Sequence, residues 1–410
     1  MLPEKPRILI YSHDSFGLGH LRRCRAIAHS LADRFTEISV LILSGSPIIG
    51  SFDFRSRVDF VRVPGVIKKR NGEYTSLSLQ IEIERTLAMR ALIIENTAQI
   101  FNPDILLVDK EPLGLRGEVG STLQSLKDAG THTILGLRDV MDEPATLRDE
   151  WDRKEVYPAL ENLYDEIWVY GHRGIHDPYT GLPVSQAVRD KTRYTGYLKR
   201  EIPDSRQAEI PMPFGDDPFI LVTPGGGGDG VELIEWVMRA YEAHEEPLFP
   251  ALIILGPFMN ADDQNNFARR AEKLRNVQII RFTSRMEDYM NRATAIVGMG
   301  GYNIFCEILS FDKPTLLVPR VVPRQEQAIR AAKAEAANMV RVLPIDHYPN
   351  VDMMIDALAA LPKSPAPSAA GISGLLGGLT TINNRVGSIL DDRSAKVTTL
   401  HAVPKAAIGA

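Results

Sequence analysis

The segment AIVGMGGYNIFCEILSFDKPTLLVP (residues 295–319) reads as strand, turn, helix and second strand in succession. An apolar run ends at Gly298, Gly300 and Gly301 make the turn, and the helix runs from about Tyr302 to Leu309. Two glycines let the backbone come close to a ligand, and the exposed amides of a helix N-terminus suit a diphosphate. Tyr302 and Asn303 stand at that helix start. Glu307 lies about one and a half turns further in. A carboxylate there can accept hydrogen bonds from a ribose diol while the amides hold phosphates.

The same design occurs upstream in LVTPGGGGDGVELIEWVMRAYE (residues 221–242). Gly225, Gly226, Gly227 and Gly228 follow a strand, and a helix begins near Val231. Four consecutive glycines cost backbone entropy unless close approach or a positive φ is needed. No Gly-Lys-Ser/Thr ends the loop, so it is not a Walker A motif. A flexible turn is the plainer alternative.

Further outward, short apolar runs alternate with helical patterns along the whole chain. In the second half they are 219–224, 251–256, 277–282, 295–300, 315–319 and 339–343. In the first half they are 7–12, 37–43, 59–63, 104–109, 132–137 and 166–171. Such alternation predicts parallel sheets covered by helices on both faces. The segment 197–217, with Pro203, Pro211 and Pro213, has no clear period and reads as a linker. The expected organisation is two tandem doubly wound α/β domains, 1–196 and 218–362, facing a central cleft. An extension, 363–410, is expected to be weakly helical and then disordered.

Composition agrees with two soluble domains. The chain has 410 residues, 44% hydrophobic and 24% charged, with a net charge of −5. That mild charge argues against a general nucleic-acid binder. Two cysteines, Cys24 and Cys306, form no disulfide framework or metal cluster pattern, and a reducing, cytoplasmic setting is the simplest expectation. No apolar run approaches the roughly 20 residues of a membrane-spanning helix. Peripheral contact with a membrane's inner face stays open, and the basic stretch VIKKRNGEY (66–74) is either a solvated loop or a contact for an anionic acceptor or membrane.

The first domain begins RILIYSHDSFGLGHLRRCRAIAHSL (residues 7–31). Gly17 and Gly19 allow a tight turn, and His20 opens a helix whose Leu21, Cys24, Ile27, Ala28 and Leu31 can face the sheet. In an open parallel sheet this turn lies at the ligand edge. The helix dipole disfavours an imidazolium there, leaving a neutral ring able to take a proton. The third glycine of the dinucleotide fingerprint is absent, and Gly-x-Gly-His alone is equally an ordinary turn. Two more strand ends are polar: Asp109 and Lys110, with Arg116 and Glu118 beyond, and Arg138, Asp139 and Asp142.

The strand–GG–helix with its glutamate, then strand–Pro and Arg324, Gln325, Glu326 and Gln327 before another helix, resembles the donor-binding domain of GT-B glycosyltransferases. The closest likeness is glycosyltransferase family 28, which includes the peptidoglycan N-acetylglucosaminyltransferase. Gly17, Gly19, His20 and Arg23 fit the superfamily's first-domain motif, which UDP-sugar hydrolases of pseudaminic-acid synthesis share. The resemblance covers most of residues 7–345. It implies a nucleotide-sugar between the domains, with UDP the habitual carrier. Glu307 would bind ribose, and Gly225–Gly228, Gly300 and Gly301 would approach the diphosphate. Phe282, Arg285 and Met286 match the base-binding loop, and Gln327 matches a sugar-contacting glutamine. Glu326 replaces a second glutamine, and Phe16 and Leu18 replace small residues before His20, so neither N-acetylglucosamine nor the same acceptor is implied.

The expected activity is transfer of a sugar from a nucleoside-diphosphate sugar to an unknown acceptor, lipid-linked or saccharide. His20 is the general base, with Asp109 or Asp139 as the runner-up. Arg23, Arg116 and Arg138 are further cleft or acceptor-side candidates. No Asp-x-Asp occurs in the chain, so neither a metal nor another cofactor is expected. Rivals are a nucleotide-sugar hydrolase, a non-catalytic nucleotide-sugar-binding protein and a non-hydrolysing epimerase.

Overall fold

The aliphatic runs become the strands of two parallel sheets in a computed structural model, which describes residues 5–13, 19–68, 73–202, 210–226, 228–244 and 248–401. The first domain runs β1 (Arg7–Ser12), α1 (Gly19–Arg34), β2 (Ser39–Ser44), β3 (Val58–Arg62), β4 (Val66–Lys68), β5 (Tyr74–Ser76), α2 (Ile83–Phe101), β6 (Ile105–Asp109), α3 (Gly120–Asp128), β7 (His132–Arg138), α4 (Pro144–Arg153), α5 (Val156–Asn162), β8 (Glu166–Tyr170), α6 (Gln186–Asp190) and β9 (Thr192–Tyr194). The second runs β10 (Ile220–Thr223), α7 (Val231–Ala243), β11 (Ala251–Ile254), α8 (Ala261–Ala271), β12 (Val277–Ile280), α9 (Met286–Arg292), β13 (Ala295–Gly298), α10 (Tyr302–Phe311), β14 (Thr315–Leu317), α11 (Glu326–Ala336), β15 (Arg341–Val342) and α12 (Val351–Ala360). A final helix, α13 (Gly378–His401), follows.

The strand orders are β3-β2-β1-β6-β7-β8-β9 and β12-β11-β10-β13-β14-β15. Central strands such as β6 and β10 are buried along their whole length, which is why their sequences are continuously apolar rather than alternating. In both sheets the order reverses beside the first strand, between β1 and β6 and between β10 and β13. The chain leaves these neighbours in opposite directions. A crevice therefore opens beyond their carboxyl ends. The turns after β1, β6, β10 and β13 all end there. Helix α1 buries Leu21, Cys24, Ile27, Ala28 and Leu31 against the sheet, as its spacing predicts, together with Arg23.

The C-terminal extension, expected to be weakly helical, carries a long helix. Helix α13 has 24 residues and returns to the first domain. Ile382, Val386 and Ile389 are buried in a cluster with Ile27, Leu31 and Trp168. Asn383 Nδ2 donates to Ser30 Oγ at 2.9 Å, and Arg385 Nε donates to Glu166 at 2.6 Å. Each buried aliphatic side chain contributes about 1.5–3 kcal/mol relative to exposure. Residues 402–410, expected to be disordered, lie outside the described residues. Tyr197 and Leu198, placed at the start of the linker by sequence, are fully buried.

Candidate active site

At the switch point of the first sheet, the start of α1 meets the end of β6. His20 Nδ1 lies 2.5 Å from Asp109 Oδ2. Arg23, one helical turn on, gives Asp109 two hydrogen bonds, from Nε at 2.8 Å and Nη2 at 2.6 Å. Asp109 and Arg23 are each 1% exposed. Burial opposes ionisation of Asp109, but Arg23 and His20 more than offset it and hold the carboxyl well below its usual range. An ionised Asp109 requires the proton on Nδ1, and Nε2 is then the free basic atom. Burial pushes the pKa of His20 down, against the pull of Asp109, with Arg23 adding to the lowering. The ring is thus neutral, oriented and only partly covered, its side chain 19% exposed.

His20 faces a cleft of about 270 Å³ whose opposite wall is the second domain. Gly225, Gly226 and Gly301 form part of that wall, with Phe282 and Gln327 to either side. Gly225 has φ +85, a conformation glycine adopts without strain. Gly256 also has a positive φ. A Cβ on it would sit 2.5 Å from the Gly225 carbonyl oxygen, so Gly256 lets the glycine loop lie against the turn that follows β11. Gly301 precedes α10, and Tyr302 and Asn303 at the start of that helix, where backbone amides lack intrahelical partners, line the cleft. Asn303 ties the walls together: its Nδ2 donates to the Gly19 carbonyl at 3.0 Å, and its Oδ1 accepts from Arg200 at 3.1 Å.

Glu307 is fully buried beneath this wall. Arg22 of α1 reaches across to it and also to Glu287, at 3.1 Å. One guanidinium therefore serves two carboxylates. Burial, only partly countered by Arg22 and reinforced by Glu287, raises the pKa of Glu307 to about 7. Its second oxygen has no hydrogen-bond partner among the described residues.

The other predicted residues divide. Met286, Tyr302 and Asn303 line the cleft as expected, and so do Gly19, Arg23 and Arg138. Asp139 is not available as a base. Arg330 holds both of its oxygens, at 2.7 and 2.8 Å, and Tyr197 donates to it at 2.9 Å. It is a buried strut between domains. Arg285 turns away from the cleft and pairs with Asp288 one helical turn on. Glu326 lines the cleft, but as the 2.5 Å partner of Arg138; Arg138 and its other cationic neighbours, outweighing burial, lower its pKa to about 2. Gly300 sits behind the wall, its carbonyl accepting from Arg330, and Gly228 packs toward Phe258. Arg116 lies in a separate cavity. Gly17 and Gly227 lie outside the described residues. Arg22, Gly256 and Arg320 were missed. The basic pair Arg22-Arg23 beside His20 is the one sequence signal from which the first could have been found.

Comparison with known proteins agrees with this geometry. Residues 219–366 match the glycosyltransferase family 28 C-terminal domain. A protein of Methanosarcina mazei described as an uncharacterized glycosyltransferase is 24% identical over 349 residues, 82% of this chain and 85% of that protein. Among solved structures, the glycotransferase of kitacinnamycin superposes with a TM-score of 0.64 at 16% identity, covering 95% of this chain and 99% of that one. LpCGTa in complex with UDP superposes at 0.62 with 13% identity, covering 94% and 99%. The two domains adopt the GT-B fold, and the second carries the family 28 signature along its length.

Proposed function

We propose that the protein is a glycosyltransferase that takes its sugar from a nucleoside-diphosphate donor, with UDP as the carrier, and uses His20 as general base. The His20–Asp109–Arg23 chain, aimed at a cleft with glycine turns and a helix start opposite, carries this reading. The UDP bound to the similar LpCGTa supports the choice of nucleotide.

In this mechanism the diphosphate lies against the Gly225–Gly226 turn and the first amides of α10, which stabilise negative charge as the leaving group departs. Glu307 lies beneath the α10 wall and outside the cleft lining, so a ribose hydroxyl reaches its orphan oxygen only where Arg22, which lines the cleft and holds this carboxylate, gives way. Phe282 stands at the cleft edge for the base. His20 Nε2 takes the proton of the acceptor hydroxyl. The acceptor oxygen forms its bond to the anomeric carbon while the carbon–oxygen bond to phosphate breaks, and the electron pair leaves with the nucleoside diphosphate. Asp109 keeps the imidazolium oriented and compensated. Arg138 and Arg320 line the same cleft, paired there with Glu326 and Asp229, and the step is written without a divalent cation.

Two assays test this. UDP and UDP-sugars should raise the melting temperature, since they bind only the folded state. His20→Ala should keep that shift and lose transfer, and EDTA should leave the rate unchanged. No shift with any nucleotide sugar would sink the reading. Release of free sugar at the full rate without an acceptor would make the protein a hydrolase.

A further inference from the structure

His20 faces a second space, a cavity of about 780 Å³ in the first domain, on the side away from the glycine loop. Tyr74 of β5, the 110–117 segment after β6 and the α4–α5 junction enclose it. Its charge is uneven. Five cationic side chains line it against three carboxylates, Glu111, Glu150 and Glu155. Glu111 and Glu150 are already held by Lys154, and Glu150 also by Arg324. Lys110, Arg116 and Arg153 are left with spare donors. Lys110 pairs loosely with Glu111, at 3.4 Å, and Arg116 with Glu84, at 4.0 Å, while Arg116 also lies over the Tyr74 ring; no ion pair of Arg153 is found among the described residues.

The backbone is also unusual here. Seven non-glycine residues among those described have a positive φ, and three of them, Lys110, Arg116 and Glu155, bound this one cavity. Each such conformation costs of order 1 kcal/mol or more and persists where surrounding structure enforces it, often at ligand sites. Lys110 follows Asp109 directly, so its ammonium is tied by the chain to the base that His20 forms. Burial lowers its pKa, only partly countered by Glu111, and a further anionic neighbour would offset more of that cost.

We propose that this cavity is the acceptor subsite and that it takes a hydroxyl compound carrying an oxyanion, phosphate or carboxylate. The oxyanion rests on Lys110, Arg116 and Arg153, and the hydroxyl reaches His20 Nε2. The role as acceptor rests on the transferase reading above. The oxyanion site itself does not.

The test uses binding first, with the full chain and no donor. Glycerol 3-phosphate titrated calorimetrically should bind wild type at least tenfold more tightly than glycerol, which lacks the charge. Lys110→Gln should lose at least tenfold in that affinity while UDP still raises its melting temperature. Arg153→Gln, on an exposed side chain, should show a smaller loss without any risk to folding. A short-chain lysophosphatidic acid, which keeps a free hydroxyl, in place of glycerol 3-phosphate reports whether the anion is lipid-borne, and binding of either compound supports the site. Unchanged affinity in both variants, or displacement of the phosphate compound by UDP, would overturn the proposal. Failure of UDP binding in wild type would instead refute the transferase reading and leave the oxyanion site standing.

Discussion

Arg22 lies between two carboxylates, and Glu307, the wholly buried one, is left to bind a proton near neutral pH. Its pKa is raised from 4.5 in the unfolded chain to about 7 in the folded protein. Folding then favours the protonated form. Stability from this group is present below about pH 4.5 and is lost as pH rises through about 7, because the native state binds more protons across that window. The full difference, at 1.36 kcal/mol per pKa unit, is about 3 kcal/mol. About 2 kcal/mol of it falls between roughly pH 5.5 and 7.5. Glu307→Gln removes the titration while keeping the shape. Urea unfolding of the second domain, followed at both pH values, should show wild type losing about 2 kcal/mol more than the variant on going to the higher pH. Arg22→Gln should steepen the wild-type trend, since both carboxylates then lack their cation. Parallel profiles for wild type and Glu307→Gln would refute the shared-cation argument.

Other predictions concern the base and the loop. Asp109→Asn should cut kcat by about 10²–10⁴-fold through loss of ring orientation, with UDP binding intact by thermal shift. Since burial lowers the pKa of His20 from 6.5, the acidic limb of the rate profile should fall below pH 6.5, the base being active only when deprotonated; a limb above that value would count against His20. Gly256→Ala places a Cβ 2.5 Å from the Gly225 carbonyl at φ +93. It should weaken UDP binding measured by calorimetry by about tenfold or more, strain of 1–3 kcal/mol being typical for such positions.

Much of the fold is legible in the sequence because buried parallel strands need continuous aliphatic runs. The segments 7–12, 132–137 and 295–300 all predict strands within two residues of those observed. Strand β9 and the β4–β5 hairpin, three residues each, are too short to show a period. Helix α13 shows only a weak pattern in the sequence because its apolar residues, Ile382, Val386 and Ile389, are spread thinly among polar ones. The site was legible where a residue type carries a conformation, as with Gly225 and Gly301. It was illegible where function depends on pairing across the cleft. Nothing in ILGLRDV says that Asp139 meets Arg330, 191 residues away, while Asp109 meets a histidine. Both are acids at strand ends, and only the partner separates a strut from an orienting group.

The return of α13 has a mechanical consequence. Chain crosses between the domains twice, once after β9 and once between α12 and α13, so the two bodies are doubly tethered. A single tether would permit swivel about any axis. Two tethers reduce the motion to a rotation about the line that joins them, much as a door with two hinges has one degree of freedom. Any rotation that opens the cleft is thereby directed rather than diffuse. Cutting the chain between Leu361 and Gly378 should free that restraint, although no residue of the cleft is touched.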